Sequence, residues 1–221
     1  MGNSYLVNEE RRVKTALLII FLSLLSVSAN AHPVPYQGAV GVMTWNQPFM
    51  SDSWLTYSVR HDMALAGRFM RMEMPEGEFR YNGMQFDYLL YRDNGTNHQA
   101  NIYLYGGGGE VRDHDKIGGA PLAGIEADAE DRKYFGMIKA EQMNPSIGPD
   151  FSHLEGRLGI APYEAEYNEI ASWFMVQAQW HPSLQKKFVF TPLARFFYKS
   201  ALWETGVSTD GDWMMNFMFH F

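Results

Sequence analysis

The chain has 221 residues, a formal net charge of −7, no cysteine and a mean hydropathy of −0.28. The absence of cysteine excludes disulfides, thiolate metal sites and a cysteine nucleophile. An acidic chain without a basic block is not expected to bind nucleic acid, and the low hydropathy excludes a bundle of apolar transmembrane helices. A membrane-spanning β-barrel is not excluded, because half of each of its strands faces a polar interior.

The N-terminal segment 1–31 has the features of a secretory signal peptide. Three basic residues, Arg11, Arg12 and Lys14, precede an apolar run over 16–27, which is too short to cross a bilayer as a helix. The small residues that follow, Ser-Ala-Asn-Ala at 28–31, supply a signal-peptidase site. We therefore predict Sec-type export, cleavage after Ala31 and a single mature domain at 32–221.

The rest of the chain alternates between apolar and polar residues with a period of two, which is typical of β-strands. Between 99 and 105, for example, Ala100, Ile102 and Leu104 share one face, and polar or tyrosine side chains share the other. Turn residues separate the alternating segments. Ten strands also fit, but the pattern favours twelve, at 38–45, 53–59, 63–73, 83–92, 98–106, 121–129, 133–142, 152–161, 169–180, 187–198, 201–207 and 212–221.

An even number of strands about ten residues long predicts an all-β fold, a closed antiparallel transmembrane β-barrel with both chain ends on the periplasmic side. The outer loops then fall at 46–52, 74–82, 107–120, 144–150, 181–186 and 208–211, with 107–120 the longest. The six tryptophans lie near the predicted strand ends, as in interfacial girdles. Two of them, Trp54 and Trp173, have the parity of the interior.

The last strand carries the most specific motif. Every second residue of this strand, on the face predicted to point outward, is apolar, and the last of them is aromatic. These residues are Trp213, Met215, Phe217, Phe219 and Phe221. This pattern resembles the C-terminal signal of Gram-negative outer-membrane β-barrel proteins. The resemblance implies an outer-membrane location, contact with membrane lipid and lipopolysaccharide, and recognition by the barrel-assembly machinery during biogenesis.

Charged residues gather on the opposite, inward parity, because a charge that faces lipid costs about 2–4 kcal/mol at the midplane. The predicted lumen charges are Arg68, Asp87, Glu126, Asp128, Lys139, Glu155, Arg157, Arg195 and Glu204. Both signs occur, so we expect a cross-linked polar interior with water-filled gaps. The expected function is a narrow pore or a structural barrel with a charged lumen, without a cofactor.

A metal-linked barrel is the first alternative. Fourteen methionines could offer thioethers to Cu(I), and a mature N-terminus at His32 could chelate Cu(II). His114, within Arg-Asp-His-Asp at 112–115, is the other candidate ligand, but its spacing fits no defined metal site. Acidic residues assigned to the outer loops could share divalent cations with lipopolysaccharide; they are Asp52, Glu76, Glu78, Glu110, Asp113, Asp115 and Asp150.

An outer-membrane hydrolase is the second alternative, although no Gly-x-Ser-x-Gly elbow occurs and no catalytic residue is assigned. Ser58, His61 and Asp62 lie near one predicted turn. Ser152 and His153 are adjacent, so a strand would direct them to opposite faces. A soluble, lipocalin-like barrel is a further alternative, and it would have an apolar interior and a polar outer wall.

Overall fold

A computed structural model describes residues 34–74, 77–166, 168–184 and 187–221. The predicted signal peptide and His32 lie outside these residues. In the described part of the chain no helix is long and apolar enough to cross a membrane. The strands are β1 (Val40–Gln47), β2 (Met50–Arg60), β3 (Met63–Met74), β4 (Gly77–Asn94), β5 (His98–Asp113), β6 (Lys116–Asp131), β7 (Tyr134–Met143), β8 (Phe151–Ile160), β9 (Ala171–Trp180), β10 (Phe188–Tyr198), β11 (Ala201–Val207) and β12 (Trp213–His220).

The twelve strands form one closed antiparallel barrel in which each strand pairs with its neighbours in sequence. β1 and β12 close it with a register that pairs Gly41 with His220 and Asn46 with Met215. Backbone hydrogen bonds between Val40 and Phe221 extend this seam to the last residue. The all-β, closed, twelve-stranded architecture predicted from the two-residue period is therefore confirmed.

The barrel has two ends that differ in their connections. The terminal end carries the start of β1, the end of β12 and the connections β2–β3, β4–β5, β6–β7, β8–β9 and β10–β11. The far end carries the remaining six connections. β4, β5 and β6 have 18, 16 and 16 residues, against the roughly 9–11 that cross a bilayer as a tilted strand. At the far end β6 pairs with β7 only from Leu122 onward, so β5 and β6 project beyond β7 there.

The outer wall is apolar between two charged rims. Leu158, Ile138 and Phe174 are each about two-thirds exposed, and the outward positions of β7 to β12 contain no Asp, Glu, Lys or Arg. Exposed charges lie near the far end, at Arg71, Glu78, Arg80, Glu110 and Arg112, and near the terminal end, at Arg60, Asp93, Arg132, Lys133 and Glu164. An apolar band bounded by polar rims matches the profile of a bilayer.

The structure corrects four local predictions. The segment 107–120 is not a loop, because β5 continues to Asp113 and β6 begins at Lys116. Cβ atoms at Gly107 and Gly109 would lie 2.0 and 2.3 Å from carbonyl oxygens of β4, so the glycine run permits close strand approach there. The predicted loops at 46–52 and 74–82 are also mostly strand. Trp45 lies inside the barrel with Trp54 and Trp173 rather than in an outer girdle.

Inward-facing glycine makes room for a tyrosine ring in the barrel wall. A Cβ atom at Gly124 would lie 2.3 Å from Cζ of Tyr105. We expect Gly124→Ala to lower the free energy of unfolding by about 1–3 kcal/mol, because the ring must leave its site. Urea titration monitored by tryptophan fluorescence measures the effect. Gly136→Ala is the control, since its nearest neighbour is Leu158 Cδ2 at 3.8 Å; equal effects of the two substitutions would contradict the explanation.

Candidate functional site: the charged interior

The interior of the barrel is lined by polar and charged side chains at mid-height. The strand alternation directs them inward, and most are almost fully buried: Asp52, Arg68, Gln85, Asp87, Glu141, His153, Glu155, Arg157, Gln177, Gln179, Glu204 and Asn216. Buried charges are stable only when other groups pair with them and satisfy their hydrogen bonds. Two ion-pair clusters meet this requirement.

Arg68 is the centre of the first cluster, which we call the Arg68 clasp. Its Nε and Nη2 donate to the carboxylate of Asp52 on the neighbouring strand, with Nη2–Oδ2 at 2.8 Å. Its Nη1 and Nη2 donate to Glu141 Oε2 and Oε1 at 2.7 and 3.0 Å. Gln85 Oε1 accepts a further bond from Nη1 at 3.0 Å. Because Arg68 lies on β3 and Glu141 on β7, the clasp spans the lumen.

Glu204 is the centre of the second cluster, which we call the Glu204 clasp. Arg157 on β8 donates from Nη1 to both Glu204 oxygens at 3.1 Å. Arg195 Nε and Asn216 Nδ2 donate to the same carboxylate at 2.7 and 2.8 Å. Arg157 Nε also donates to Glu155 Oε1 at 2.7 Å. One carboxylate on β11 therefore joins side chains from β8, β10 and β12.

Lys139 and Glu126 lie between the two clasps. They are register partners on β7 and β6, yet no ion pair between them is found within 4.0 Å. The Lys139 ammonium instead lies 5.2 Å from the ring centre of Trp54 and 5.5 Å from that of Tyr105. This cation–π arrangement stabilises the ammonium without using a carboxylate.

An apolar plug lies at the far end of the lumen. Phe49, Phe151 and Leu184 are at least nine-tenths buried there and pack with inward side chains of β3, β4 and β7. His181, from the β9–β10 connection, is fully buried and stacks on His153 with ring centres 4.2 Å apart. The loops at this end thus fold into the barrel mouth.

His181 should make the stability of the plug depend on pH. Burial, reinforced by the neighbouring His153, lowers the pKa of His181 to about 2. In the unfolded chain its pKa is near 6.5, so the unfolded state takes up a proton first as the pH falls. Stability is then fully present above the unfolded pKa and is lost progressively below it. We expect a loss of about 2 kcal/mol between pH 7.5 and 5.

Urea unfolding at the two pH values tests this, with His181→Phe as the comparison. Phenylalanine keeps an aromatic ring beside Phe49 and Phe151 but has no titrating nitrogen. The pH-dependent loss should shrink in the variant by about the amount expected for one histidine. The same pH dependence in both proteins would show that His181 does not carry the effect.

A cavity of about 250 Å³ lies beside the two clasps and reaches towards the terminal end. Glu130, Asp131 and Ala171, all near that end, belong to its lining. Glu126, Asp128 and Lys139 line it deeper in the barrel, and aromatic and methionine side chains form much of its wall. Met50 belongs both to this lining and to the apolar plug cluster, so the cavity runs from the plug towards the terminal end.

All nine charges assigned to the lumen from the sequence lie on the inner wall. Arg68 joins the first clasp, Asp87 accepts a bond from Gln85, and Asp128 accepts one from Asn101. Five others line the cavity, and Glu204 is fully buried at the centre of its clasp. Sequence reasoning missed Asp52, because it was assigned to an outer loop. It also missed Glu141, whose parity matches that of Lys139 and could have identified it.

The remaining sequence candidates are not brought together. His114 has an exposed side chain at the β5–β6 turn and contacts Asp113 at 2.8 Å. Among the described residues, no group of three or more acidic or histidine side chains is arranged to hold a metal ion. Ser58 is buried inside the barrel, whereas His61 is 78% exposed at the β2–β3 turn.

No protein-family model and no curated protein matches the sequence. Among solved structures, the chain is similar to OmpTdeltaL8, the loop L8 deletion mutant of OmpT, an outer membrane protein of Vibrio cholerae. The identity is 8% and the TM-score 0.26, over 84% of this chain and 97% of that chain. The geometry of this chain itself defines its class: a closed twelve-stranded barrel with an apolar outer wall and an ionically cross-linked interior.

Proposed function

We propose that this protein is an outer-membrane β-barrel with a closed lumen, a structural barrel whose interior is accessible only from the periplasm. The Arg68 clasp carries the proposal, because it ties β3 to β7 across the lumen beneath the apolar plug. An open pore needs a continuous polar path along the axis. We expect the plug to block that path and the clasp to narrow it.

Several features support the membrane location. The outer wall is apolar between charged rims, and the interior is polar, which is the inverse of a soluble ligand-binding barrel. Trp213, Met215 and Phe217 are half to three-quarters exposed on β12, and Phe219 and Phe221 share their outward parity. In this proposal segment 1–31 directs Sec-type export, β12 is read by the assembly machinery, and the terminal end faces the periplasm.

Membrane fractionation tests the location. We expect the protein to stay in the membrane pellet through carbonate and high-salt washes and to dissolve only in detergent, because its apolar band needs a lipid-like environment. Release by carbonate alone would favour a soluble barrel. Replacement of outward-facing Phe217 by arginine should reduce insertion, whereas the rim substitution Arg71→Ala is the control.

Planar-bilayer recording tests the closed lumen. We expect no stable conductance from the purified wild-type barrel. The double variant Arg68→Ala/Glu141→Ala removes both sides of the cross-lumen bridge without changing the net charge, and we expect at most brief openings because the plug remains. Steady wild-type steps, with an ion selectivity that changes in Arg157→Ala, would instead show a narrow pore and overturn the proposal.

A further inference from the structure

The cavity beside the clasps combines features that do not arise from the barrel architecture alone. It has a volume of about 250 Å³. Trp45, Trp173, Phe135 and Phe197 supply aromatic walls, and Met43, Met137 and Met218 supply apolar ones. A mostly apolar recess with a few converging polar groups is the usual form of a small-molecule site.

The charges around the cavity do not balance. Its lining contains six carboxylates, at Asp52, Glu126, Asp128, Glu130, Asp131 and Glu155, against three Lys and Arg side chains, at Lys139, Arg157 and Arg195, and one histidine, His153, which contacts Glu155. Both arginines are already held by Glu155 and Glu204. Asp52 is likewise held by Arg68. The carboxylates of Glu126 and Glu130 make no ion pair within 4.0 Å among the described residues, so the cavity has an excess of negative charge.

Trp54 forms a part of the cavity wall that suits a cation. Its side chain lines the cavity and is 5% exposed. The same ring already faces the ammonium of Lys139 at 5.2 Å, so this wall is compatible with a cation.

We propose that the cavity binds a small organic cation: an amine whose ammonium pairs with Glu126 and whose apolar, preferably aromatic, body packs on Trp173 and Phe197. Glu130 and Asp131 at the terminal end give the entrance the same sign and attract the cation. This inference rests on the proposed function, because a periplasmic ligand reaches the cavity only if the terminal end faces the periplasm. An inorganic cation would leave the aromatic walls unused.

Isothermal titration of the refolded full-length barrel in nonionic detergent tests the proposal. The probe is phenethylamine, with the uncharged phenethyl alcohol and the anionic phenylacetate as matched ligands of similar shape. We expect one site per barrel for the amine. Binding of the alcohol should be weaker by about tenfold or more, as expected when a charge-assisted hydrogen bond is lost. Phenylacetate should not bind measurably.

Variants then assign the site. Glu126→Gln should weaken amine binding by about tenfold or more and reduce the preference for amine over alcohol. Trp173→Ala should weaken the amine and the alcohol together, because it removes apolar contact common to both. Glu78→Gln, on the outer wall near the far end, should change neither affinity. The heat-dependent gel shift of each variant establishes that it has folded.

Three results would overturn the inference: no amine binding by the folded wild-type protein, equal affinity for the three ligands, or unchanged amine affinity in folded Glu126→Gln. Binding of Mg²⁺ or Ca²⁺ that competes with the amine while the alcohol fails to bind would identify an inorganic cation site instead. Failure of the amine site can be distinguished from failure of the closed lumen, which the conductance measurement tests. A wild-type barrel that conducts but still binds the amine through Glu126 refutes only the closed lumen.

Discussion

Replacement of Arg68 by methionine is expected to lower the free energy of unfolding by about 3–5 kcal/mol. Methionine fills a similar volume but donates no hydrogen bond. Asp52 and Glu141 would then face each other as buried carboxylates without their shared counter-charge. Urea titration of the barrel in lipid vesicles, monitored by tryptophan fluorescence, measures the loss.

A compensated variant separates the loss of pairing from the loss of packing. Arg68→Met combined with Asp52→Asn and Glu141→Gln removes all three charges and leaves polar groups of similar shape. Because replacing a whole buried ionic group is often close to neutral, we expect most of the lost stability to return. Equal destabilisation in the single and triple variants would show that the guanidinium acts by packing rather than by charge.

Replacement of Glu204 by leucine is the second substitution with a large expected effect, again about 3–5 kcal/mol. Glu204 accepts hydrogen bonds from Arg157, Arg195 and Asn216. Arg157 keeps Glu155 when Glu204 is removed, but Arg195 loses the carboxylate that it contacts. The loss should therefore come mainly from an unpaired guanidinium on β10.

The same urea titration measures this effect, with two comparisons. Glu204→Leu/Arg195→Met should be more stable than Glu204→Leu alone, because it removes the unpaired cation. Glu78→Gln, whose exposed carboxylate contacts Arg71 and Arg80 on the outer wall, should cost at most about 1 kcal/mol. A Glu204→Leu effect no larger than that of Glu78→Gln would contradict a structural role for this clasp.

The two clasps explain how a barrel with so many inward charges can have a compact lumen. Each connects strands that are three or four positions apart around the wall, so the ionic contacts lie across the interior. Cross-barrel contacts resist ovalisation and narrow the axial path. They also leave Glu126 and Glu130 outside the ionic network, and these carboxylates provide the negative charge of the proposed amine site.

Alternation alone was sufficient to predict the strands and the side of the wall on which most residues lie. A strand directs successive side chains to opposite faces, so the parity of Phe217 or Arg157 follows from the sequence once the strand is recognised. Predictions failed where local composition was misleading. Glycine suggested a loop at 107–120, and the turn-like segment 46–52 placed Asp52 outside the barrel. Trp45 shares the inward parity, but its position near a strand end suggested a girdle.

The order of the alternating segments along the chain thus determined three features. They are the barrel fold, its closure by an apolar last strand, and the charged residues that face inward. Which of these charges meet was decided only by the tertiary structure. Arg68 and Glu141 are 73 positions apart, and Arg157 and Glu204 are 47 apart. Their contacts depend on barrel closure, strand register and shear, which no local pattern encodes. The plug and the cavity likewise exist only after the wall has closed.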